Sequence, residues 1–407
     1  MKEAVVVDVF RTPIGQAGEQ GVYKAIAGND LIVQLLKAIY TRNKFWSGFI
    51  DEVVSGYSGG GGIRGTNLVA GWPYEPAGSD TTRACASSSE AIAICAEYIM
   101  NDDADIQVAA GLETPGRSGP LPPPGMKAAG MPAPPTFTKA DYPEGWKFAA
   151  KILPQRRPDL PEWIGNLGRT AEELAQRFDI SREDADDYAW SSHQKARAAQ
   201  DADLFKDSIF PITIQYEDDS TEVIEADQAP SRDVTLEKLK ALPPVYMENG
   251  KVTAGNSGAQ NEGSGLVVLM SKERAKELGL KPIVTFRTAM VTGVDPLVKG
   301  TGAYAAIDKV LKRTGMKIQD FDIIEINEAS AAEVLYTGRQ LGFNSAEWDK
   351  TNVNGGAISI GYPIGLTGIT QTEVLAREMA RRNLRFGLAA LSATGGQGMA
   401  TIFEREN

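Results

Sequence analysis

The chain has 407 residues, of which 42% are hydrophobic and 23% charged, a composition typical of a soluble globular protein with two or three domains. The formal net charge of −11 disfavours nucleic acids and anionic membrane surfaces as partners, and no run of about 18 apolar residues predicts a transmembrane helix. Two cysteines and one histidine are too few for a disulfide framework or a structural zinc site, and the amino terminus lacks an export signal, so the expected location is the cytoplasm.

The pattern of apolar residues predicts strands that alternate with helices in each half of the chain. In the first half, the predicted elements are a strand at 5–10, a helix at 29–43, a strand at 50–54, a helix at 88–100 and a strand at 106–111. In the second half they are a strand at 283–290, a helix at 304–313, a strand at 321–325, a helix at 367–382 and a strand at 386–391. Because the order is the same, the sequence predicts a duplicated α/β unit, with two unrelated α/β domains as the alternative.

A segment of different composition separates the two halves. Twelve of the 22 prolines fall between positions 115 and 161, which excludes regular helix and central strand there. Two helix-start signals follow, Thr170-x-x-Glu173 and Ser181-x-x-Asp184. We therefore divide the chain into a first part of the amino-terminal half at 1–114, an inserted loop domain at 115–250, a return strand of that half at 251–275, and a carboxy-terminal half at 276–407.

The first candidate site is Cys85, which lies just before the predicted helix start Ser87-x-x-Glu90. The positive end of a helix dipole stabilises a thiolate, and a thiolate is the form of cysteine that attacks carbonyl carbon. Most free cysteines are instead small buried hydrophobic residues, and Cys95 fits that description because it lies among isoleucines on the same predicted helix. The residues alone leave both interpretations of Cys85 open.

Three further segments follow predicted strands or precede predicted helices. Segment 354–365 is rich in glycine, includes Gly361, and places Tyr362 before a proline. Segment 392–398 contains Ser392, Gly395 and Gly396 and is suited either to binding an oxyanion or to turning a hairpin.

The third segment, 326–330, lies at a strand end. Its Asn327 and Glu328 are suited to orienting water or transferring a proton, or, for Asn327, to capping a helix. The single histidine, His193, lies in a polar stretch and is predicted to be a surface residue.

Together and in this order, these segments resemble the thiolase family over nearly the whole chain. The resemblance includes the opening segment 5–15, Gly111-Leu112-Glu113, the helix at 181–196 and Thr253-Ala254-Gly255-Asn256. It implies an α/β fold with five layers, αβαβα, built from two duplicated halves with a loop domain inserted in the first.

The resemblance also implies a role for each candidate residue. Cys85 matches the nucleophile that becomes acylated, and Asn327 matches the residue that holds a water in an oxyanion hole. The loop that contains Gly361 matches the Gly-His-Pro loop of the family. The loop that contains Gly395 and Gly396 matches the Cys-x-Gly-Gly-Gly loop, whose amide groups help to form an oxyanion hole.

The chain departs from the family pattern at three positions. The histidine of the Gly-His-Pro loop is Tyr362, the second cysteine is Ser392, and a serine that binds coenzyme A (CoA) after the run ending at Asn256 is Gly258. Tyrosine and serine are poor bases at neutral pH. Either Tyr362 donates a hydrogen bond while Glu328 or the substrate handles protons, or the chain is a non-catalytic subunit that binds CoA.

We expect a thiolase that cleaves a 3-oxoacyl-CoA through acyl-Cys85, with CoA as a substrate and no tightly bound cofactor or metal; a condensing acyltransferase is the alternative enzyme. The replacements favour an unusual, aromatic substrate. Within the family the chain is similar to thiolase subunits that cleave 2-benzoylsuccinyl-CoA to benzoyl-CoA and succinyl-CoA. The resemblance implies a homodimer or larger assembly and a small zinc-containing partner subunit.

Overall fold

The computed structural model describes residues 2–43, 45, 49–57, 62–114, 161–216 and 218–405. The proline-rich part of the predicted insertion, 115–160, lies outside these residues. Within the described ranges, none of the helices has the length and apolar character needed to cross a membrane.

The described elements are twelve strands and eleven α-helices. The strands are β1 (Ala4–Arg11), β2 (Gly15–Gln16), β3 (Glu52–Tyr57), β4 (Ala77–Thr81), β5 (Ile106–Glu113), β6 (Ile212–Gln215), β7 (Thr221–Ile224), β8 (Asn261–Ser271), β9 (Val284–Gly293), β10 (Ile323–Ile326), β11 (Phe386–Ala393) and β12 (Gln397–Glu404). The helices are α1 (Gly28–Asn43), α2 (Ile63–Val69), α3 (Ser87–Met100), α4 (Leu167–Arg177), α5 (Arg182–Asp201), α6 (Leu236–Lys240), α7 (Lys272–Glu277), α8 (Gly302–Thr314), α9 (Ala331–Leu341), α10 (Ser345–Asp349) and α11 (Thr367–Arg382).

The two halves repeat one strand order, which confirms the predicted duplication. In the first half the order is β1-β8-β5-β3-β4, and in the second it is β9-β12-β11-β10. In both halves the first two pairings are antiparallel and the third, β5 with β3 or β11 with β10, is parallel. A short antiparallel pairing of β1 with β9, Val5 opposite Thr285 and Val6 opposite Val284, joins the halves into one sheet.

Five layers follow from the way the helices cover this sheet. Helix α1 packs on the outer face of the first half, and α8 packs on the outer face of the second. Helices α3 and α11 lie between the inner faces of the two halves and share one apolar core with them. Because α3 is enclosed by strands and by α11, its apolar residues need not form a single stripe, and nine of its fourteen residues are buried. The predicted five-layered α/β fold is therefore confirmed.

The described part of the predicted insertion, from residue 161 onward, contains α4, α5, the hairpin of β6 and β7, and α6. Ser181 caps α5 as predicted, because its hydroxyl accepts a hydrogen bond from the amide of Asp184. The start predicted at Thr170 is wrong: α4 begins one turn earlier, where the Asn166 side chain accepts from the amide of Arg169. Asparagine is as good a cap as threonine, so sequence alone did not separate them.

Candidate active site

Cys85 lies in a tight turn between β4 and α3. The Ser87 hydroxyl accepts a hydrogen bond from the Arg83 amide at 2.9 Å and donates one to the Ala84 carbonyl at 2.6 Å. This turn holds Ala84 at a φ of 47°, a left-handed conformation that is unfavourable for a residue with a Cβ. Strain next to Cys85 is therefore maintained by the hydrogen bonds of one serine.

Helix α3 begins at Ser87 as predicted, but the predicted capping box does not form. Ala86 occupies the cap position without a side-chain hydrogen bond, and Glu90 instead accepts two hydrogen bonds from the Arg83 guanidinium at 2.8 Å. Cys85 thus lies two residues before the first helical residue, at the amino-terminal end of α3. Its side chain is completely buried.

Tyr362 and Asn327 bring two hydrogen-bonding groups close to this thiol. Burial, followed by the neighbouring Cys85, raises the pKa of Tyr362 well above the usual value for a phenol, while Asn327 lowers it slightly. Cys85 and Asn327 are therefore both close enough to affect the Tyr362 hydroxyl. Within the described residues, however, neither this hydroxyl nor the Asn327 amide nitrogen has a partner that meets the distance and angle limits of a hydrogen bond. The Cys85 thiol and the Asn327 amide therefore both neighbour the Tyr362 hydroxyl, an arrangement suited to binding an oxyanion.

The loop before α11 presents Tyr362 because two glycines leave room for it. Gly361 has a φ of 121°, and a Cβ there would lie 2.7 Å from the Asn261 side chain, which accepts a hydrogen bond from the Tyr362 amide. A Cβ at Gly258 would lie 3.0 Å from the Tyr362 Cβ. A side chain at either position would displace Tyr362.

Glu328 is held by four hydrogen bonds. Its carboxylate accepts from the Tyr188 hydroxyl at 2.8 Å, the Ser192 hydroxyl at 2.8 Å, the Asn352 amide at 3.2 Å and the backbone amide of Ile358 at 3.1 Å. These contacts tie the end of β10 to α5 and to the loop that carries Tyr362. Glu328 therefore fixes the position of the loop that carries Tyr362.

Ser392 and the two glycines after it form the hairpin between β11 and β12. The Ser392 hydroxyl donates to the Gly300 carbonyl and accepts from the Ala303 amide, both at 3.0 Å, so it anchors the start of α8. Gly395 and Gly396 have φ values of 86° and 78°, which the hairpin turn requires. The Arg83 guanidinium reaches across to Gln397 at 3.2 Å and links this hairpin to the Cys85 turn.

A cavity of about 270 Å³, which we call the outer cavity, leads to Tyr362. Its walls include Leu167, Gly168, Tyr246, Gly258, Ala329 and Tyr362. Asn256 is not part of its lining: its amide group donates to Asp186 and to the Lys251 carbonyl and accepts from the Thr253 amide, so it shapes the turn before Gly258. Of the two residues proposed to bind CoA, the structure therefore places Gly258 at the cavity and Asn256 behind it.

The prediction for His193 is wrong. The side chain is only 7% exposed and lies in α5, and burial, followed by the charge of Arg197, lowers its pKa to about 4. Cys95 is buried as expected, and burial raises the pKa of its thiol well above its usual value. Within the described ranges, no group of three or more His, Cys, Asp or Glu side chains is arranged to hold a metal ion.

Sequence reasoning missed two sets of buried charges near the site. Arg11, in β1, donates to Asp227 at 2.6 Å and to Glu373 at 2.6 Å. Lys299 donates to Glu333 at 2.6 Å, and both side chains are almost completely buried. Opposite charges this far apart in sequence give no local signal, because only the fold brings them together.

Comparison with known proteins agrees with this architecture. The family described as Thiolase, N-terminal domain, matches residues 4–128 and 159–273, and Thiolase, C-terminal domain, matches 280–405. A 3-ketoacyl-CoA thiolase of Bacillus subtilis is 34% identical, with 99% of this chain and all of the relative covered. An acetyl-CoA acetyltransferase of Allochromatium vinosum is 35% identical, with 98% of each covered.

Solved structures give the same result. The crystal structure of the Bacillus anthracis acetyl-CoA acetyltransferase superposes with a TM-score of 0.84 at 32% identity, covering 99% of each chain. Human mitochondrial 3-ketoacyl-CoA thiolase in complex with CoA superposes with a TM-score of 0.82 at 30% identity, covering all of this chain and 98% of the other. With both family domains matched along nearly its whole length, this chain belongs to the thiolase family of acyltransferases.

Proposed function

We propose that the protein cleaves a 3-oxoacyl-CoA with a second CoA, through an acyl group carried on Cys85. The observation that carries this proposal is the convergence of the Cys85 thiol, the Tyr362 hydroxyl and the Asn327 amide, two of them without full hydrogen bonds among the described residues. A buried nucleophile next to unused donors is what acyl transfer needs.

The proposed reaction has two steps. The Cys85 thiolate attacks the 3-oxo carbon, the bond between C2 and C3 breaks, and an enolate leaves and is protonated to give one acyl-CoA. The thiolate of a second CoA then attacks the thioester on Cys85 and releases the second acyl-CoA. Tyr362 and an Asn327-held water, together with the amides of the hairpin at Gly395 and Gly396, stabilise the oxyanions; a preorganised donor of this kind is worth about 10²–10³ in rate.

The outer cavity is the proposed site of the CoA arm. It is lined by Gly258 and reaches Tyr362, whose pKa is raised in part by the neighbouring Cys85. A thiolase of similar fold has been solved in complex with CoA, which supports the proposal. The narrow, partly apolar lining suits the uncharged arm that carries the thiol.

Mass spectrometry after incubation with an acyl-CoA tests the nucleophile. We expect one acyl adduct on Cys85, no adduct in Cys85→Ala, and an unchanged adduct in the matched control Cys95→Ala. An adduct that persists without Cys85 contradicts the proposal. CoA binding with neither adduct nor thiolysis supports the alternative of a non-catalytic subunit, and condensation without thiolysis supports a condensing enzyme.

The acyl group is proposed to be aromatic, with 2-benzoylsuccinyl-CoA as the named candidate. Two tyrosines, Tyr246 and Tyr362, line the outer cavity, and aromatic faces stack favourably on an aryl group. Thiolysis rates with 2-benzoylsuccinyl-CoA, acetoacetyl-CoA and a long-chain 3-oxoacyl-CoA decide the question. A preference for either aliphatic substrate contradicts an aryl specificity and leaves the acyl-transfer proposal intact.

A homodimer and a zinc-containing partner subunit complete the proposal. Strand β4 lies at the edge of the sheet with mostly exposed residues, and Leu68, Val69 and Tyr74 expose apolar surface in the adjoining segment. An unpaired edge next to apolar side chains favours pairing with a second copy. Light scattering of the purified chain tests the dimer, and zinc analysis of material co-purified from the native host tests the partner.

A further inference from the structure

A second cavity, which we call the inner cavity, lies beside Tyr362 and is not explained by CoA binding. It has a volume of about 40 Å³, and its walls include Arg11, Glu325, Asn327, Tyr362, Gln371 and Glu373. A buried water needs roughly 10–15 Å³ of such space, so the inner cavity has room for about three waters. Its lining combines the two oxyanion residues, Asn327 and Tyr362, with four polar side chains that have no role in the steps above.

Polar atoms on this lining lack partners. Among the described residues, no hydrogen bond reaches one carboxyl oxygen of Glu325, one of Glu373, the amide oxygen of Gln371, the amide nitrogen of Asn327 or the hydroxyl of Tyr362. All five side chains are more than nine-tenths buried. Buried polar groups in proteins are almost always hydrogen-bonded to protein or water, so these atoms are suited to holding an internal water cluster.

Glu325 is the candidate proton carrier in this lining, because one of its carboxyl oxygens has no hydrogen-bond partner among the described residues. It lies on β10, and Asn327 follows two residues later, just after the strand ends at Ile326; both residues line the inner cavity. Glu373, by contrast, is bound through its other oxygen to Arg11 at 2.6 Å. The remaining candidates near the thiol are occupied, since Glu328 accepts four hydrogen bonds and the Ser392 hydroxyl both donates and accepts.

We propose that Glu325 supplies and recovers the proton of the thiolase reaction through waters held in the inner cavity between its carboxyl group, Asn327 and Tyr362. This inference rests on the proposed function, because it names the group that replaces the histidine and the second cysteine of the family pattern. Glu325 acts through water and does not touch the substrate.

The electrostatic surroundings suit this role. Burial raises the pKa of Glu325 well above the usual value of a carboxyl group, and the facing carboxylates of Glu328, Glu378 and Glu373 raise it further. Lys195, from α5, opposes them. The raised pKa favours the neutral carboxyl form of Glu325, which is the form able to give a proton when a carbanion forms beside it.

The proton balance then closes over one turnover. As Cys85 becomes acylated and the C2–C3 bond breaks, the electron pair goes to C2 as an enolate, and the proton of Glu325 reaches C2 through the waters. Glu325 is left as a carboxylate. It takes the proton of the incoming CoA thiol, the CoA thiolate attacks the thioester, and Cys85 leaves as a thiolate. The site thus carries one negative charge throughout, first on Cys85 and then on Glu325.

The test is Glu325→Gln, which keeps the size and burial of the side chain. We expect the kcat of thiolysis to fall by about 10²–10³-fold, as for loss of a general acid or base. The rate at which Cys85 is alkylated should stay unchanged, and the limb of the pH–rate profile that reports the acid should disappear. Glu325→Asp should restore part of the rate. The matched control Glu347→Gln, a buried carboxylate that accepts a hydrogen bond from the Asn344 amide and is absent both from the cavity lining and from the charges around Glu325, should stay within about threefold of wild type.

A second measurement covers the case in which Glu325→Gln does not fold. Wild-type protein in D₂O should exchange the C2 protons of succinyl-CoA, or of acetyl-CoA if the preferred substrate is aliphatic, for deuterium, and Glu325→Asp should exchange them with an altered pH dependence. Full thiolysis and an unchanged pH profile in Glu325→Gln, or an unshifted exchange profile in Glu325→Asp, overturn the inference. Absence of thiolysis and of a Cys85 adduct in wild-type protein instead overturns the proposed function.

Discussion

The two halves of the molecule share a strand order but contribute opposite chemistry to the site. In the first half, a short strained turn before the central helix α3 carries the nucleophile Cys85. In the second half, a glycine-rich loop before the equivalent helix α11 carries Tyr362, and the adjoining strand end carries Asn327. The duplicated fold therefore has two equivalent segments, one before α3 and one before α11. The first carries the thiol of Cys85, and the second carries the phenol of Tyr362.

The charges that support the two loops differ in the same way. The Arg83–Glu90 pair beside the Cys85 turn is about one quarter exposed, whereas the Lys299–Glu333 pair beside the second-half loops is almost completely buried. Exposed pairs contribute little to stability, while a buried pair is costly to break because one charge is left without a partner. The second half should therefore be the less tolerant of single substitutions.

The largest effect is expected at the nucleophile. Cys85→Ala should lower kcat/KM for thiolysis by at least about 10⁴-fold, because no other thiol can carry the acyl group. Cys95→Ala, ten residues later in the helix that follows Cys85, should keep the rate within a few fold. A steady-state thiolysis assay compares the two, and similar losses in both would show that the effect comes from disturbing α3.

The second largest effect is expected when the buried Lys299–Glu333 ion pair is broken, and it concerns stability. Lys299→Met should lower the free energy of unfolding by about 3–5 kcal/mol, because the Glu333 carboxyl group would be left in the interior without its partner. Arg83→Met, which breaks the Arg83–Glu90 pair of the other half, about one quarter exposed, should cost no more than about 1 kcal/mol.

Urea denaturation measures both variants. The double variant Lys299→Met with Glu333→Leu should recover most of the loss, since it removes the charge and the partner together. If the double variant is as unstable as the single one, packing and not charge explains the cost.

Removal of the phenolic hydroxyl is expected to affect catalysis alone. Tyr362→Phe should lower kcat by about 10²-fold through the loss of one oxyanion donor, with the protein at least as stable, because the buried hydroxyl has no full hydrogen bond among the described residues. Tyr246→Phe, on the wall of the same outer cavity, should keep kcat and change KM at most. Equal losses of kcat in both would assign Tyr362 to binding.

The smallest effect concerns His193. Its pKa is about 4 in the folded protein and about 6.5 when unfolded, so the unfolded state binds the proton first as pH falls. The contribution of His193 should lower the free energy of unfolding as the pH falls from about 6.5 to about 4, and should cause no further loss below pH 4. His193→Gln should flatten the melting temperature between pH 6.5 and pH 5, above the range in which most carboxylates titrate. A variant that follows the wild-type curve would contradict the burial of the imidazole.

Sequence patterning predicted the fold well because it depends on local signals. The regular alternation of apolar residues located the strands and helices, and the repeated order predicted the duplication that the strand pairings confirm. Element ends were less certain: the helix predicted from Ser88 begins at Ser87, and the strand predicted from 50 begins at Glu52.

The candidate site was predictable in its residues but not in their contacts. The turn around Cys85 and the loops of Tyr362 and Ser392 were named from sequence, and the structure brings Cys85, Tyr362 and Asn327 together. That Ser392 anchors α8, or that Glu328 ties the Tyr362 loop to α5, depends on partners far away along the chain. Glu325 was counted as part of a strand, and its lack of a partner could be recognised only once the inner cavity was seen.

The joint between β1 and β9 has a consequence for dividing the molecule. Two residue pairs connect the two halves of the sheet. Helices α3 and α11, however, bury their apolar sides only when both halves are present. A chain cut in the exposed segment around Gly279 and Lys281 should therefore yield two insoluble fragments when each is made alone. When the two fragments are produced together, all strands and helices of the fold are present, and we expect them to assemble into an active protein.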